Sequence, residues 1–494
     1  MDEEKNSSVK WLILATVIMG TFLGRLDGTV VNLAVPKIIS AFGVDVSTAG
    51  WIATAYILAN AVFVPIWGKL GDTIGRKKVY ITGFLLFIVS SLLAGFAWNF
   101  ASLIVFRVIQ AIAVSADYPT AMAILATTFP SGRPRAQALG IWSSVFGAAA
   151  VFGPLLGGPL IDSFGWRSVF FLNLPVGLVG LLMAFKFIPE SISDRKTVFF
   201  DWWGALTLGI SLSGMVLVLD KGLDWGWLSG YSILCYVATV VSFIFFYIIE
   251  HHHPEPIVDL KFFKNAVFVN TLTNNFIAFM GIMGSTFLIP VFAQTFLGYN
   301  ATQAGYLFIP MAFGLLFAAP FGAALVGRVK PKYVIFASTL VGGIGIFMLT
   351  GLDPRSTALD IMIPMTVMAG GLGFGMAQRT SIITTVVPES EMGMASGVLA
   401  LVRNISGAFG VALFATILSY SIKSNVLSIA ANSFYTNPAL RGTVTELIIL
   451  KAQVEGYDTV FLVASILIFI GALSALFLKT GNERVSSEPV FAEA

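Results

Sequence analysis

The 494-residue sequence predicts an all-α polytopic membrane protein, with two six-helix bundles related by a parallel repeat and two inserted helices. Its composition gives the first indication, because 57% of the residues are hydrophobic and only 11% are charged. A soluble domain carries about 25% charged residues, so a soluble enzyme is excluded. Apolar runs of membrane-spanning length, about 20 residues, recur along the chain. The two halves also share a sequence pattern.

Fourteen apolar runs, separated by glycine, proline and charged residues, are predicted to be transmembrane helices. They are 11–35, 48–67, 79–97, 101–126, 137–161, 168–188, 202–219, 231–250, 266–296, 303–325, 333–350, 360–386, 394–420 and 459–478. The predicted domains are a tail (1–10), an N-terminal six-helix bundle (11–190), an inserted helix pair with linkers (191–260), a C-terminal bundle (261–480) containing a long outer loop (421–458), and a tail (481–494).

The distribution of lysine and arginine predicts the orientation, because cytoplasmic loops are enriched in both. One set of loops carries most of them, including Lys69, Arg76, Arg133 and Lys261. We therefore expect this side and both termini to be cytoplasmic. With the dense Leu, Phe and Gly content, this asymmetry indicates a multi-pass protein of a prokaryotic plasma membrane.

An internal repeat relates the two ends of the chain. The segment 42–51 matches 297–306 at an offset of 255, and the same offset brings Pro65 onto Pro320. Spans 1–6 therefore correspond to spans 9–14 in the same orientation, which leaves spans 7 and 8 as the inserted pair. Two parallel bundles with a cavity between them near the membrane midplane are typical of transporters that work by alternating access.

Several functional classes have no support in the sequence. No phosphate-binding Gly-Lys-Ser/Thr loop, catalytic cluster or basic aromatic patch is present, so ATP use, enzymatic activity and nucleic-acid binding are not predicted. His251–His253 are adjacent in a loop and predict no metal site. We expect a monomer without cofactor, driven by a proton gradient, with protons, lipid and an amphipathic small molecule as partners.

Charged residues within the predicted spans are the sharpest functional signal, because each is costly in a bilayer. Asp27 is the first candidate for proton coupling and Asp117 the second, with Arg25 and Arg107 as basic partners. A carboxyl group in an apolar cavity binds a proton more readily, and a nearby cation opposes this. The alternative is that Asp27 pairs permanently with Arg25 or Arg107 and only holds helices together.

Local motifs resemble those of the fourteen-helix drug:proton antiporters of the major facilitator superfamily. The similar segments are 26–36 in the first span, 68–80 between spans 2 and 3, 107–110 in span 4, 147–158 in span 5, 201–204, 254–256 and 394–403. The resemblance covers nearly the whole chain and implies drug efflux. Arg25 and Asp117 are not part of the expected pattern.

Two of these motifs predict gating elements. Between spans 2 and 3, Gly68 and Gly75 are predicted to permit a tight turn, while Asp72 meets the positive end of a helix and Arg76 meets acidic or carbonyl groups. In span 5, Gly153, Pro154, Gly157 and Gly158 predict a flat, bent face for close approach of span 10. Topology alone and generic helix packing are the respective alternatives.

Candidate substrate contacts are polar or aromatic residues of the spans, namely Asn32, Tyr56, Gln110, Tyr118, Phe276 and Arg379. The leading hypothesis is a proton-coupled multidrug exporter of cationic or neutral amphipathic molecules. A second hypothesis is export of a specific siderophore, lipid or metabolite by the same fold. A channel, membrane sensor or membrane enzyme is the alternative of another class.

Overall fold

The computed structural model describes residues 2–44, 46–190, 201–432 and 441–478. Its N-terminal helices are α1 (Asp2–Phe42), α2 (Val46–Ile74), α3 (Arg76–Gly95), α4 (Phe100–Val114), α5 (Asp117–Thr128), α6 (Arg133–Phe164), α7 (Ser168–Phe171) and α8 (Asn173–Phe187). The inserted pair is α9 (Trp202–Trp225) and α10 (Gly230–His252).

The remaining helices are α11 (Ala266–Phe296), α12 (Ala301–Tyr306), α13 (Phe308–Ala324), α14 (Pro331–Phe347), α15 (Ala358–Phe374), α16 (Met376–Val386), α17 (Met392–Ala431) and α18 (Arg441–Ala475). Short 3-10 helices occupy Leu260–Lys264 and Glu389–Glu391.

The all-helical membrane fold predicted from composition is confirmed. Twelve helical segments of the described chain are long and apolar enough to cross a membrane. The predicted spans 137–161 and 333–350 are not among these twelve, but they lie in α6 and in the shorter apolar helix α14. Every predicted span therefore overlaps a helix.

Two predicted irregular segments are largely helical instead. The predicted tail 1–10 was expected to precede the first helix, but α1 already includes Asp2 onward. The predicted outer loop 421–458 is shorter, since α17 continues to Ala431 and α18 starts at Arg441. The three helix extensions are more polar than the spans they prolong, so the apolar runs that defined the spans are shorter than the helices. The linker 191–200 and the tail 481–494 lie outside the described residues.

Both halves interrupt the corresponding helix, which supports the repeat. The pair α4 and α5 runs from Phe100 to Thr128, and the pair α15 and α16 runs from Ala358 to Val386, an offset of 258 at both ends. One apolar core surrounds Trp142 in the N-terminal half, and another surrounds Phe414 in the C-terminal half.

The two halves meet mainly where α2 packs on α17 and α6 packs on α13, and α5 also contacts α17. The inserted helix α9 contacts both α2 and α17 and therefore lies at this seam, whereas α10 packs mainly on α9. The predicted bundle boundaries at 190 and 261 remain predictions.

Candidate functional site

A cavity of about 700 Å³ lies between the two halves. Helices α1, α2, α4 and α5 of the first half, α11 and α17 of the second, and α9 of the inserted pair contribute to its wall. Its charged and tyrosine side chains are Arg25, Tyr56, Arg107, Asp117, Tyr118, Asp220, Asp224 and Arg403. This volume suits a small organic molecule.

The position of Asp117 follows from a break in the fourth span. Pro119 has no N–H for the carbonyl of Ser115, four residues earlier, and its ring clashes with that carbonyl, which favours a kink or break in the helix here. The Ser115 hydroxyl donates to the Ile112 carbonyl at 2.7 Å, within the last turn before the break. A new helix, α5, begins at Asp117, which thus stands at a helix N-terminus on the cavity wall.

The Asp117 carboxylate accepts a hydrogen bond on one of its two oxygens. Thr21 donates its hydroxyl to Asp117 Oδ2 at 2.7 Å, and the Trp142 indole N–H donates to Thr21 Oγ1 at 2.8 Å. Asp117 Oδ1 is buried and accepts no hydrogen bond from the described residues. Arg25 interacts with Asp117 electrostatically and is exposed to the cavity. Asp117 therefore combines burial, a neighbouring cation and access to the cavity.

Asp27 has a different environment from Asp117. Its side chain is fully buried, and Arg107 Nη1 donates to its Oδ2 at 2.6 Å. The side-chain amides of Gln110 and Asn173 donate to Oδ1 at 3.0 Å and 2.8 Å. Asp27 thus forms the ion pair with Arg107 that the alternative reading of the sequence describes. Arg107 itself still reaches the cavity and lies 4.2 Å from the centre of the Tyr56 ring.

Three predicted substrate contacts lie elsewhere. The cavity lining, as far as the described residues define it, does not include Gln110, Phe276 or Arg379. Gln110 is fully buried, and its hydrogen bonds with Asp27 and Arg107 hold it in the N-terminal half. Phe276 packs against Phe409, 5.6 Å between ring centres.

Arg379 is buried among neutral acceptors. Its guanidinium donates to Asn274 Oδ1 and to Thr339 Oγ1, each at 2.6 Å, and to the Leu372 carbonyl at 3.1 Å. These bonds satisfy the side chain inside the C-terminal half and turn it away from the cavity. The side chain of Asn32, the remaining candidate, lies outside the described residues.

Several cavity residues were not predicted from sequence. Phe279 lines the cavity about one helical turn beyond Phe276. Asn404 Nδ2 on α17 donates to Asn60 Oδ1 on α2 at 2.9 Å, which joins the two halves. Asp220 on α9 accepts the Thr54 hydroxyl at 2.6 Å, but the seventh span was predicted to end at residue 219. A polar residue within or just beyond an apolar span is the signal that could have found Asn60, Asn404 and Asp220, whereas Phe279 has no such signal.

The side of the protein that carries Lys69, Arg76, Arg135 and Lys261 is closed, and we refer to it as the basic side. There, Gly68 on α2 packs directly on α17, and a Cβ atom on Gly68 would lie 2.4 Å from the Gly393 carbonyl oxygen. Gly68 lies inside α2, so the prediction that it forms the turn is wrong. Its lack of a side chain permits close helix contact instead.

The turn between α2 and α3 is made by Gly75. Its φ of 107° falls in a region that favours glycine, and this residue precedes α3 directly. Arg76 then points back and forms an ion pair with Asp72 at 3.1 Å. It also donates to the Glu389 and Ala123 carbonyls. The expected contact of Arg76 with acidic and carbonyl groups is therefore present.

Further ion pairs surround the segment before α17, and one of them joins it to the first half. Arg135 Nη2 on α6 donates to Glu389 at 2.9 Å. Lys261 bonds Glu391 at 3.0 Å and Asp259 at 2.8 Å. Burial opposes the charge of Lys261, but these two carboxylates raise the pKa of its ammonium. Ion pairs and close helix packing at Gly68 therefore both contribute to closure of the basic side.

The glycines of α6 contact a helix other than the expected one. A Cβ atom on Gly153 would lie 2.2 Å from Thr29 Oγ1, and one on Gly157 would lie 2.9 Å from Val30, both on α1. Gly158 has open space around it. The contact of α6 with α13 is made by Gly140 instead, where a Cβ atom would lie 2.5 Å from Ala323.

The close approach of Gly153 and Gly157 is therefore to α1 and not to α13, and α13 also packs closely against α15 of its own half. A Cβ atom on Gly322, for example, would lie 1.8 Å from the Phe374 carbonyl oxygen. The Pro154 side chain lies outside the described residues.

Comparison with known proteins agrees with this architecture. Residues 17–411 match the family description "Major Facilitator Superfamily". The chain is 31% identical over 423 residues to "Multidrug transporter protein MdtP" of Bacillus subtilis, an alignment that covers 85% of this chain and 77% of that protein. It is 27% identical over 417 residues to "Riboflavin transporter RibZ" of Clostridioides difficile, covering 84% and 90%.

A solved structure shares the fold. The crystal structure of the human organic anion transporter MFSD10 superimposes with a TM-score of 0.63, covering 94% of this chain and 99% of that chain at 15% identity. At this identity the likeness concerns the fold.

Proposed function

The chain belongs to the Major Facilitator Superfamily, and on this premise we propose that it exports amphipathic small molecules in exchange for protons by alternating access. The observation that carries the proposal is the central cavity, which contains a titratable carboxyl group, Asp117, and is closed on the basic side. The basic side is the cytoplasmic side in this proposal, so the described conformation is closed to the cytoplasm.

The geometry favours Asp117 over Asp27 as the site of proton exchange. A proton-exchanging carboxyl group has to be reached by water or substrate, and Asp117 lines the cavity whereas the Asp27 side chain is fully buried. Asp117 also has an unpartnered oxygen among the described residues, while both oxygens of Asp27 accept hydrogen bonds. Both residues stay candidates, with Asp117 placed first.

The proposed cycle uses this carboxyl group as the shared site. From the outside, a proton neutralises Asp117 and favours opening of the cytoplasmic side. On that side the proton leaves, the charged carboxylate again binds Arg25, and a cationic or neutral amphipathic substrate occupies the cavity. Binding and conformational change are linked, because each ligand shifts the equilibrium by its preference for one conformation.

Dye transport in inside-out membrane vesicles tests the proposal. With an imposed pH gradient, we expect accumulation of a cationic dye such as ethidium by the wild-type protein and none above background by Asp117→Asn. Asp162→Asn, which alters an exposed aspartate at the end of α6, is the matched control and retains transport. Undiminished gradient-driven transport by Asp117→Asn would refute the assignment.

Export of a specific metabolite is the second candidate function. It is favoured by the exposure of Arg25 to the cavity and by the nearby amide pair of Asn60 and Asn404, which offer directional contacts to one polar ligand. A relative named as a riboflavin transporter is in keeping with this alternative. A substrate panel screened for proton release from proteoliposomes distinguishes one responding metabolite from many responding amphipathic dyes.

A further inference from the structure

A direct hydrogen bond crosses between the two halves beside the proposed proton site. Tyr118 follows Asp117 in the first turn of α5, and its hydroxyl accepts from Arg403 Nη1 on α17. The Arg403 guanidinium also lies 5.2 Å from the centre of the Tyr118 ring and 4.9 Å from that of Phe279. This contact belongs to both halves, so it has to change when they move apart.

The Arg403 guanidinium donates its hydrogen bonds to uncharged side chains. Its other nitrogen atoms donate to Thr380 Oγ1 at 3.2 Å and Asn275 Oδ1 at 3.4 Å. Within the described residues, no carboxylate lies within ion-pair distance of Arg403. Its position against Tyr118 therefore depends on surrounding charges, which act strongly in a buried, weakly screened site.

Arg25 connects this contact to Asp117. It attracts the Asp117 carboxylate and interacts electrostatically with Tyr118, and it repels Arg403. A charged Asp117 offsets the field of Arg25, whereas a protonated Asp117 leaves that field uncompensated at Arg403. Protonation of Asp117 therefore weakens the hold of Arg403 on Tyr118.

The other titratable groups facing Asp117 are fixed by separate contacts. Tyr80 on α3 and Tyr56 on α2 both interact with it electrostatically. The Tyr80 hydroxyl donates to the Thr16 carbonyl at 3.3 Å, and Tyr56 lies under Arg107, which is paired with Asp27. Within the described residues, neither tyrosine forms a hydrogen bond to the second half. Tyr118 is therefore the group that can transmit a change in the charge of Asp117 to the second half.

We propose that Tyr118 is a positioning residue whose hydrogen bond to Arg403 transmits the protonation state of Asp117 to the closure of the basic side. The inference rests on the proposed proton exchange at Asp117. When Asp117 is charged, the bond stabilises the conformation closed on the basic side. When Asp117 is protonated, the repulsion between Arg25 and Arg403 loosens the bond, and the basic side opens.

Spin-label distances across the basic side test this step without requiring a known substrate. Thr127 on α5 and Thr385 on α16 are exposed and lie on different halves at the same repeat offset, so both are changed to Cys in a Cys235→Ser background. From mildly alkaline to mildly acidic pH, we expect the open population of the otherwise wild-type protein to rise about fivefold or more, in the range of ordinary coupling energies.

Three variants separate transmission from simple cross-linking of the halves. Tyr118→Phe keeps the ring packing against Trp142, 5.0 Å between centres, and is expected to be open at all pH values. Arg403→Lys keeps the charge but loses the hydrogen-bond geometry of the guanidinium, and it is also expected to be open at all pH values. Asn404→Ala removes a different bond between the halves, to Asn60, and should open the basic side while retaining the full pH response.

The outcomes distinguish the two proposals. Loss of the pH response in Tyr118→Phe with its retention in Asn404→Ala supports transmission through Tyr118. A Tyr118→Phe protein that still opens fivefold with acid overturns the inference and leaves proton exchange at Asp117 intact. A wild-type distance distribution that does not move with pH, or an Asp117→Asn protein that still responds, contradicts the proposed proton exchange itself.

Discussion

The Asp72 carboxylate on α2 accepts the backbone N–H of Met394, in the first turn of α17, at 2.8 Å. The Gly393 N–H donates to the same carboxylate at 3.0 Å. The first turn of a helix has unpaired N–H groups and a partial positive charge, and one carboxylate satisfies both. Because α2 and α17 belong to different halves, this contact is present only while the basic side is closed.

Asp72→Asn is expected to slow turnover while substrate affinity stays within about twofold. The substitution removes the charge that faces Arg76 and the start of α17, and hydrogen bonds to charged groups contribute about 1.5–3 kcal/mol. The closed conformation is then populated less, by about tenfold or more. Turnover and equilibrium binding in proteoliposomes check this, and unchanged turnover would argue against gating by Asp72.

Gly68→Ala is expected to hold the basic side open. The added Cβ would lie 2.4 Å from the Gly393 carbonyl oxygen, and a backbone atom cannot move aside as a side chain can. Labelling of an engineered cysteine on the basic side measures the opening. Gly370→Ala, in open space on α15, is the matched control and should label like the wild type. Equal labelling of all three proteins would show that the close contact is not required.

Asp27→Asn is expected to destabilise the protein more than the double variant Asp27→Asn, Arg107→Gln. The single change leaves Arg107 buried without its carboxylate, and breaking one side of a buried ion pair costs about 3–5 kcal/mol. The double variant removes both charges. Thermal unfolding in detergent gives the comparison, and additive losses of stability would mean that the pair is not coupled.

Gly153→Ala is expected to lower stability by about 1–3 kcal/mol, because its Cβ would overlap Thr29 on α1. Gly158→Ala, five residues further along α6, has open space and should be neutral. Unfolding curves of the two variants measure the difference. Similar stability for both would indicate that α6 and α1 separate readily at this point.

Much of the fold could be predicted from the sequence. The positions of the spans follow from hydropathy, because an apolar helix must match the bilayer thickness wherever it packs, and the repeat follows from the match of 42–51 to 297–306. The polar contacts between spans 2 and 3 could also be predicted, since Asp72 and Arg76 lie four residues apart and are neighbours on a helix or at its end. Helix ends such as Ala431 were missed because polar extensions carry no hydropathy signal.

The sequence by itself determined that this is a many-helix membrane protein with costly charges in its spans, because composition and spacing are local properties of the chain. Only the tertiary structure decided which charges meet: Arg107 lies against Asp27, whereas Asp117 faces the cavity. Asp27 and Arg107 are 80 residues apart in the chain, so only helix packing brings them together. Depth in the bilayer can be read along one span, but direction around its axis depends on the neighbouring helices.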